Sequence, residues 1–166
     1  TSGGVSVGDK DFVKEILNDL GTVHFRRLFM KPGKPLNFAT VGDTLVFGLP
    51  GNPVSALVGF EVFVNAALRV MAGRRDVQPR PVPVVLTHDV QSGDRLEFQR
   101  GLVWADESGV LHARNTGPQA SARLLSLVGA NAFLLIPPRE APYRAGERVM
   151  AVIRGPIGPA PETPAE

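Results

Sequence analysis

TLVFGLPGNPVSALVGFEVFVNAALRVMAG, residues 44–73, is the stretch on which the fold turns. Thr44 to Gly48 is strand-like, and Leu49-Pro50-Gly51-Asn52-Pro53 breaks it. Asn52 is a good N-cap, Pro53 occupies the first helical position where its missing N–H costs nothing, and Gly73 stops the helix. Apolar residues lie on nearly every side of that helix, which predicts burial on both faces. Ser55, Glu61, Asn65 and Arg69 interrupt the apolar run, so it reads as a core helix and not as a membrane span. A strand feeding such a helix predicts a layered α/β domain.

Upstream, Thr1 to Gly8 reads as a loop. Asp9 or Asp11 then caps a helix whose apolar stripe is Phe12, Ile16, Leu17 and Leu20, with Gly21 just past its end. Residues 22–29 suit a strand, Lys31-Pro32-Gly33-Lys34-Pro35 is turn-rich, and strands at 36–41 and 44–48 flank a Gly42-Asp43 turn. The chain opens on a glycine loop with no strand and no methionine before it. The expectation is the back part of a longer protein.

Downstream, Pro79, Pro81 and Pro83 forbid a helix and favour an extended connector. Residues 1–75 are therefore assigned to one domain, 76–83 to a linker and 84–154 to a second domain. Strand-like runs at 82–90, 95–105, 110–115, 132–136 and 148–154 predict a small β-barrel or sandwich, with a helix at 119–128. Residues 155–166 hold four prolines and little to bury, and predict a disordered tail.

The 166 residues contain no cysteine, which excludes disulfides, thiolate metal sites and a cysteine nucleophile. A net charge of +2 argues against nucleic-acid binding by bulk charge. The charge is unevenly placed: all lysines (Lys10, Lys14, Lys31, Lys34) lie near the start, and residues 1–75 carry nine basic and six acidic side chains. His24, His88 and His112 have no ligand spacing and read as structural. No Ser/His/Asp arrangement and no Walker-type loop is present.

Three segments place anion-binding groups together. In TSGGVSVGDKD the glycines let backbone N–H groups approach an anion, and Asp11 is placed to hold Mg²⁺ against its phosphates. Lys31 and Lys34, on a loop stiffened by prolines, form a compact cationic cluster. Ser55 follows Pro50 and Pro53 at a second helix N-terminus. In the second half, Arg100 offers a forked donor set and Ser121 a hydroxyl near a helix start. Each segment also reads, alone, as an ordinary cap, turn or surface island.

Taken in order, TSGGVSVGDKDF, MKPGKP, FGLPGNPVSALV, RLEFQRG and TGPQASARLLSLVGANAFLLIP resemble the molybdopterin molybdenumtransferase family, which includes MoeA and the gephyrin E-domain. The resemblance covers residues 1–154 and implies the C-terminal part of a three-layer molybdopterin-binding α/β domain followed by a small β-barrel. It implies a cytoplasmic homodimer that takes adenylylated molybdopterin and molybdate and, with Mg²⁺, inserts molybdenum and releases AMP, with no nucleic-acid or membrane partner. By its motifs Asp11 binds the metal, Lys31 and Lys34 are catalytic, and Gly3, Gly4, Ser6, Pro35, Pro50, Pro53, Ser55, Arg100 and Ser121 line the substrate and molybdate site. Pro118 stands where many members have His. A peptide-binding scaffold of the gephyrin type, and an inactive fragment of the transferase, are the alternatives.

Overall fold

The computed structural model describes residues 1–4 and 13–161. The chain divides into two compact units: Thr1–Gln78 with Ala120–Leu124, and Pro79–Gln119 with Leu125–Glu166. Ala120–Leu124, expected in the second domain, thus clusters with the first.

The first unit contains α1 (Val13–Leu20), β1 (Thr22–Phe25), the short β2 (Met30–Lys31), β3 (Asn37–Val41), β4 (Thr44–Gly48), α2 (Pro53–Gly59) and α3 (Asn65–Met71). Strands β1, β3 and β4 form an antiparallel sheet with β3 central. Val41 pairs with Thr44 across a two-residue turn, where Gly42 takes a positive φ of 55° that an L side chain resists. Side chains alternate across β3. Phe38 stacks on Phe47 of β4 at 4.7 Å and packs beside Phe25, which in turn meets Phe63 of the long helix. Asn37 and Ala39 therefore point to the opposite face. α1 ends as its glycine predicts, with Gly21 N–H donating to the Leu17 carbonyl at 3.1 Å.

The first three residues are not simply a loop. Leu49 N–H donates to the Thr1 carbonyl and Gly3 N–H to the Leu49 carbonyl, both at 2.9 Å, so Ser2 bridges Leu49 in parallel. A short parallel rung is thereby added beside the end of β4.

The long helix differs from expectation in two respects. Residues 60–64 form a π turn between α2 and α3. Burial is also one-sided. Val54, Ser55, Val58 and Gly59 are enclosed, whereas Leu68, Val70 and Met71 are 49–68% exposed. Gly59 packs against Leu36 so closely that an added Cβ would lie 2.8 Å from Leu36 Cδ1. By length and composition alone the nineteen-residue helix Pro53–Met71 suffices to cross a bilayer. The stripe of α1 is similarly split: Leu17 is buried, but Ile16 and Leu20 are exposed.

The second unit is a barrel of β5 (Val82–Leu86), β6 (Leu96–Ala105), β7 (Leu111–Asn115), β8 (Ala132–Ile136) and β9 (Arg148–Ile153). The strands follow the order β6-β7-β5-β9-β8, and β6 returns to pair with β8. The ten-residue β6 makes this closure possible: its second half pairs with β7 and its first half with β8. The interior is apolar, built from Val84, Leu86, Val103, Ala113, Ala132, Leu134, Ile136, Val149 and Ala151. Between β7 and β8 the expected helix at 119–128 is reduced to a 3₁₀ turn, Leu124–Leu127. The tail also departs from a fully disordered segment. Asn131 donates from Nδ2 to the Pro156 carbonyl at 2.9 Å, and Ala105 N–H donates to the Gly158 carbonyl at 3.3 Å, tying residues 156–158 to the barrel.

Candidate functional site

The sequence-predicted site residues that are described lie in the first unit, except Arg100, which lies in the barrel. Asp11 and Ser6, with the candidate cap Asp9, lie outside the described residues.

In the first unit, the parallel rung at Leu49 sets two glycine turns side by side. Gly3 and Gly4 take φ of 86° and 68°, and a Cβ added to Gly51 would sit 3.6 Å from Gly3 Cα. Ser2 Oγ donates to the Pro50 carbonyl at 3.1 Å, joining the turns. Pro50 is buried and Pro53 exposed; Ser55 is buried in the first helical turn. Asn52 has the extended backbone of an N-cap, yet its side chain caps nothing. Its amide instead donates to Ser121 Oγ at 3.2 Å. Two motifs far apart in sequence are thus joined at the start of the long helix.

Lys31 and Lys34 are both exposed on the KPGKP turn, while Pro32 and Gly33 between them are buried and Pro35 is half-buried. The Lys31–Pro32 peptide is cis. Leu28 N–H donates to the Lys34 carbonyl at 3.0 Å, which closes the turn.

In the barrel, Arg100 is the largest fully buried side chain, 1% exposed. Burial pushes its guanidinium below the ordinary arginine value, and the Glu97 carboxylate opposes part of that shift. Arginine's ordinary value is so high that the group stays charged. Arg100 Nε donates to Ser126 Oγ at 2.9 Å, and Ser126 is itself 2% exposed. Gln119 grips the Arg100 main chain: Oε1 accepts from its N–H at 2.7 Å and Nε2 donates to its carbonyl at 3.2 Å. Thr116 N–H donates to the same carbonyl at 3.0 Å. Gln119 and Ser126 lie in the TGPQASARLLSLVG segment but are not among the site residues expected from the sequence. Single polar residues whose partners lie 19 and 26 positions away leave no periodic signal.

Among the described residues no group of three or more His, Asp or Glu side chains is positioned to hold a metal. A Mg²⁺ bound through substrate phosphates needs only one or two carboxylates. Asp11, the carboxylate expected to hold it, falls outside the described residues. The three histidines serve structure or stand apart from any cluster. His24 stacks on Phe38, His112 pairs with Asp106 at 2.8 Å, and the enclosed Nε2 of His88 has no hydrogen-bond partner among the described residues.

Residues 1–70 match a family described as a probable molybdopterin binding domain, and residues 83–153 match the MoeA C-terminal region, domain IV. The chain is 41% identical to gephyrin of Dictyostelium discoideum, over 95% of this chain and 25% of that protein. It is 36% identical to the molybdopterin molybdenumtransferase of Haemophilus influenzae, over 90% of this chain and 37% of that one. The solved molybdopterin biosynthesis MoeA protein of Pyrococcus horikoshii superposes with a TM-score of 0.71 at 26% identity, covering 93% of this chain and 36% of the other. The chain thus spans between a quarter and somewhat over a third of the length of these relatives. With both of its units matched in the order the relatives carry them, the chain belongs to the family of molybdopterin molybdenumtransferases and gephyrin.

Proposed function

We propose that this chain contributes to molybdenum cofactor biosynthesis, supplying part of a site at which molybdenum from molybdate enters adenylylated molybdopterin and AMP is released. The observation that carries this reading is the Asn52–Ser121 contact, which joins the GNPVS and TGPQAS segments at the N-terminus of the long helix. Molybdate is a tetrahedral dianion, and N–H groups, hydroxyls and cations are what such an ion requires. In this reading Lys31 and Lys34 neutralise charge as it develops, and Ser55, Ser121 and Arg100 orient the oxyanion. Gly3 and Gly4 let the backbone approach the phosphates, with Ser6, Pro35, Pro50 and Pro53 shaping the wall. Asp11 would hold Mg²⁺, which supplies charge neutralisation on the phosphates. The setting proposed is a cytoplasmic homodimer.

Catalysis by positioning fails steeply when part of a site is missing. The isolated chain is therefore expected to be inactive. The test uses the H. influenzae transferase with its matching segment replaced by this chain, beside the chain alone. Both receive adenylylated molybdopterin, Mg²⁺ and molybdate, and AMP release is followed. Molybdate-dependent release by the folded chimera alone is the expected result. A folded chimera without turnover overturns the proposal, and turnover by the isolated chain overturns the claim that the site is incomplete.

A further inference from the structure

We propose that Gln119 and Ser126 are positioning residues for Arg100, acting together as a frame that presents its guanidinium to an oxyanion in one orientation. The inference rests on the reading above that Arg100 contacts molybdate.

The frame follows from where β7 ends. The β6–β7 ladder runs from Ala105↔Leu111 to Gly101↔Asn115 and then stops. Arg100, the next residue of β6, still pairs with Phe133 of β8 on its other side. Its carbonyl still receives the Thr116 N–H, but its own N–H would be orphaned inside the barrel wall, which native backbones avoid. Gln119 replaces the missing rung. Its primary amide has the donor and acceptor of a peptide group, and it accepts from Arg100 N–H while donating to Arg100 C=O. The same Nε2 donates to the Gly117 carbonyl at 2.7 Å, so the loop that delivers Gln119 is braced by it. Gly117 takes φ of 91°, a conformation that turns the loop back toward β6.

That rung fixes the Cα from which the side chain starts. Ser126 fixes the other end, because its hydroxyl accepts from Nε at 2.9 Å. Ser126 is in turn held through its carbonyl, which accepts from Thr116 Oγ1. A guanidinium is planar, so fixing its root and its Nε–H sets the plane of the whole fork. An arginine so constrained has little rotamer entropy left to lose when an anion binds. An exposed arginine would first have to order itself. The pairing assigns distinct roles: Gln119 holds the backbone and Ser126 the head group.

Two readouts on the 166-residue chain test this. In the first, hydrogen exchange of the Arg100 Nε–H and backbone N–H is followed by ¹⁵N NMR in wild type, Gln119→Leu, Ser126→Ala and Ser126→Thr. Gln119→Leu is expected to speed exchange of the Arg100 backbone N–H at least tenfold. Ser126→Ala should do the same to Nε–H and Ser126→Thr should restore it, with Val103 and Ala113 unchanged throughout. Unchanged protection at Arg100 overturns the frame. In the second, molybdate alone is titrated calorimetrically into the same proteins and Arg100→Ala. Loss of binding in Arg100→Ala, with about tenfold weakening in Gln119→Leu and Ser126→Ala and rescue by Ser126→Thr, is the expected pattern. If Arg100→Ala is indistinguishable from wild type, the molybdate reading of Arg100 falls and the exchange data alone decide the frame. If Arg100→Ala loses binding while the other two variants do not, the positioning inference falls and the reading stands.

Discussion

Asn52 donates its side-chain amide to Ser121 Oγ at 3.2 Å, although the two residues are 69 positions apart. An asparagine placed before a helix-starting proline ordinarily turns its side chain back onto the first helical N–H groups. Here that bond is absent. The amide instead holds a hydroxyl. This contact is expected to show in a double-mutant cycle. Asn52→Ala and Ser121→Ala should each lower stability slightly, and together less than additively, with a coupling of about 1 kcal/mol. Strict additivity in chemical denaturation would show that the contact contributes nothing.

Gly101 is closely packed inside the barrel. A Cβ there would lie 2.7 Å from Leu134 Cγ, in the interior and without a flexible chain end to yield. Gly101→Ala should cost about 1–3 kcal/mol by overpacking. Adding Leu134→Ala should recover part of that loss if the clash is the cause. Denaturant midpoints of the single and double variants provide the measurement.

Asp106 organises the β6–β7 turn. Its Oδ1 accepts from Ser108 N–H, Ser108 Oγ and Val110 N–H, and its Oδ2 faces His112. The Ser108 hydroxyl first, then His112, hold the Asp106 carboxyl well below the usual carboxylate range. A group with a depressed folded-state pKa stabilises above its unfolded value and loses that contribution as pH falls. The barrel is therefore expected to lose stability as pH drops below about 4, the ordinary aspartate value. Asp106→Asn should flatten this acid limb. Melting followed from pH 7 to pH 2 tests it, and an unaltered limb in the variant would assign the acid sensitivity elsewhere.

Much of the architecture is legible in the residues because it rests on local rules. The Gly42 turn, the Pro53 helix start and the barrel strands each follow from turn chemistry or from β-rich runs separated by Gly, Pro, Asp and Asn. The helix expected at 119–128 shows where that logic stops. Its composition suits a helix, but Leu124, Leu125 and Val128 are 57–73% exposed. A short helix without a packed face is marginal. Gln119 and Ser126, which would have to join it, are committed to Arg100. The helix from Pro53 departs differently: it forms where its apolar pattern predicts, but among the described residues only one of its faces is enclosed. At the candidate site, the residue types were legible and the Asn52–Ser121 contact was not. Nothing local announces a partner 69 positions away.

Asn37 is 1% exposed, and among the described residues neither side-chain amide atom has a hydrogen-bond partner. An enclosed amide without partners costs about 1–3 kcal/mol. Asn37→Leu keeps the approximate volume and removes both orphans, so it should raise stability by about 1 kcal/mol. A loss of stability in chemical denaturation would show that the amide is satisfied.

The two sheets end differently, and that difference decides how each unit meets other chains. In the barrel every strand has a neighbour on both sides because β6 returns to β8, so no row of N–H and C=O groups is offered outward. Among the described residues, the three-stranded sheet has β1 and β4 at its edges, and Thr1–Gly3 cover the end of β4 while β1 has a partner only on the β3 side. An unpaired edge is a template for recruiting another strand. When the protein is overexpressed or warmed, self-association should therefore begin at Thr22–Phe25, while the closed barrel remains inert to its neighbours.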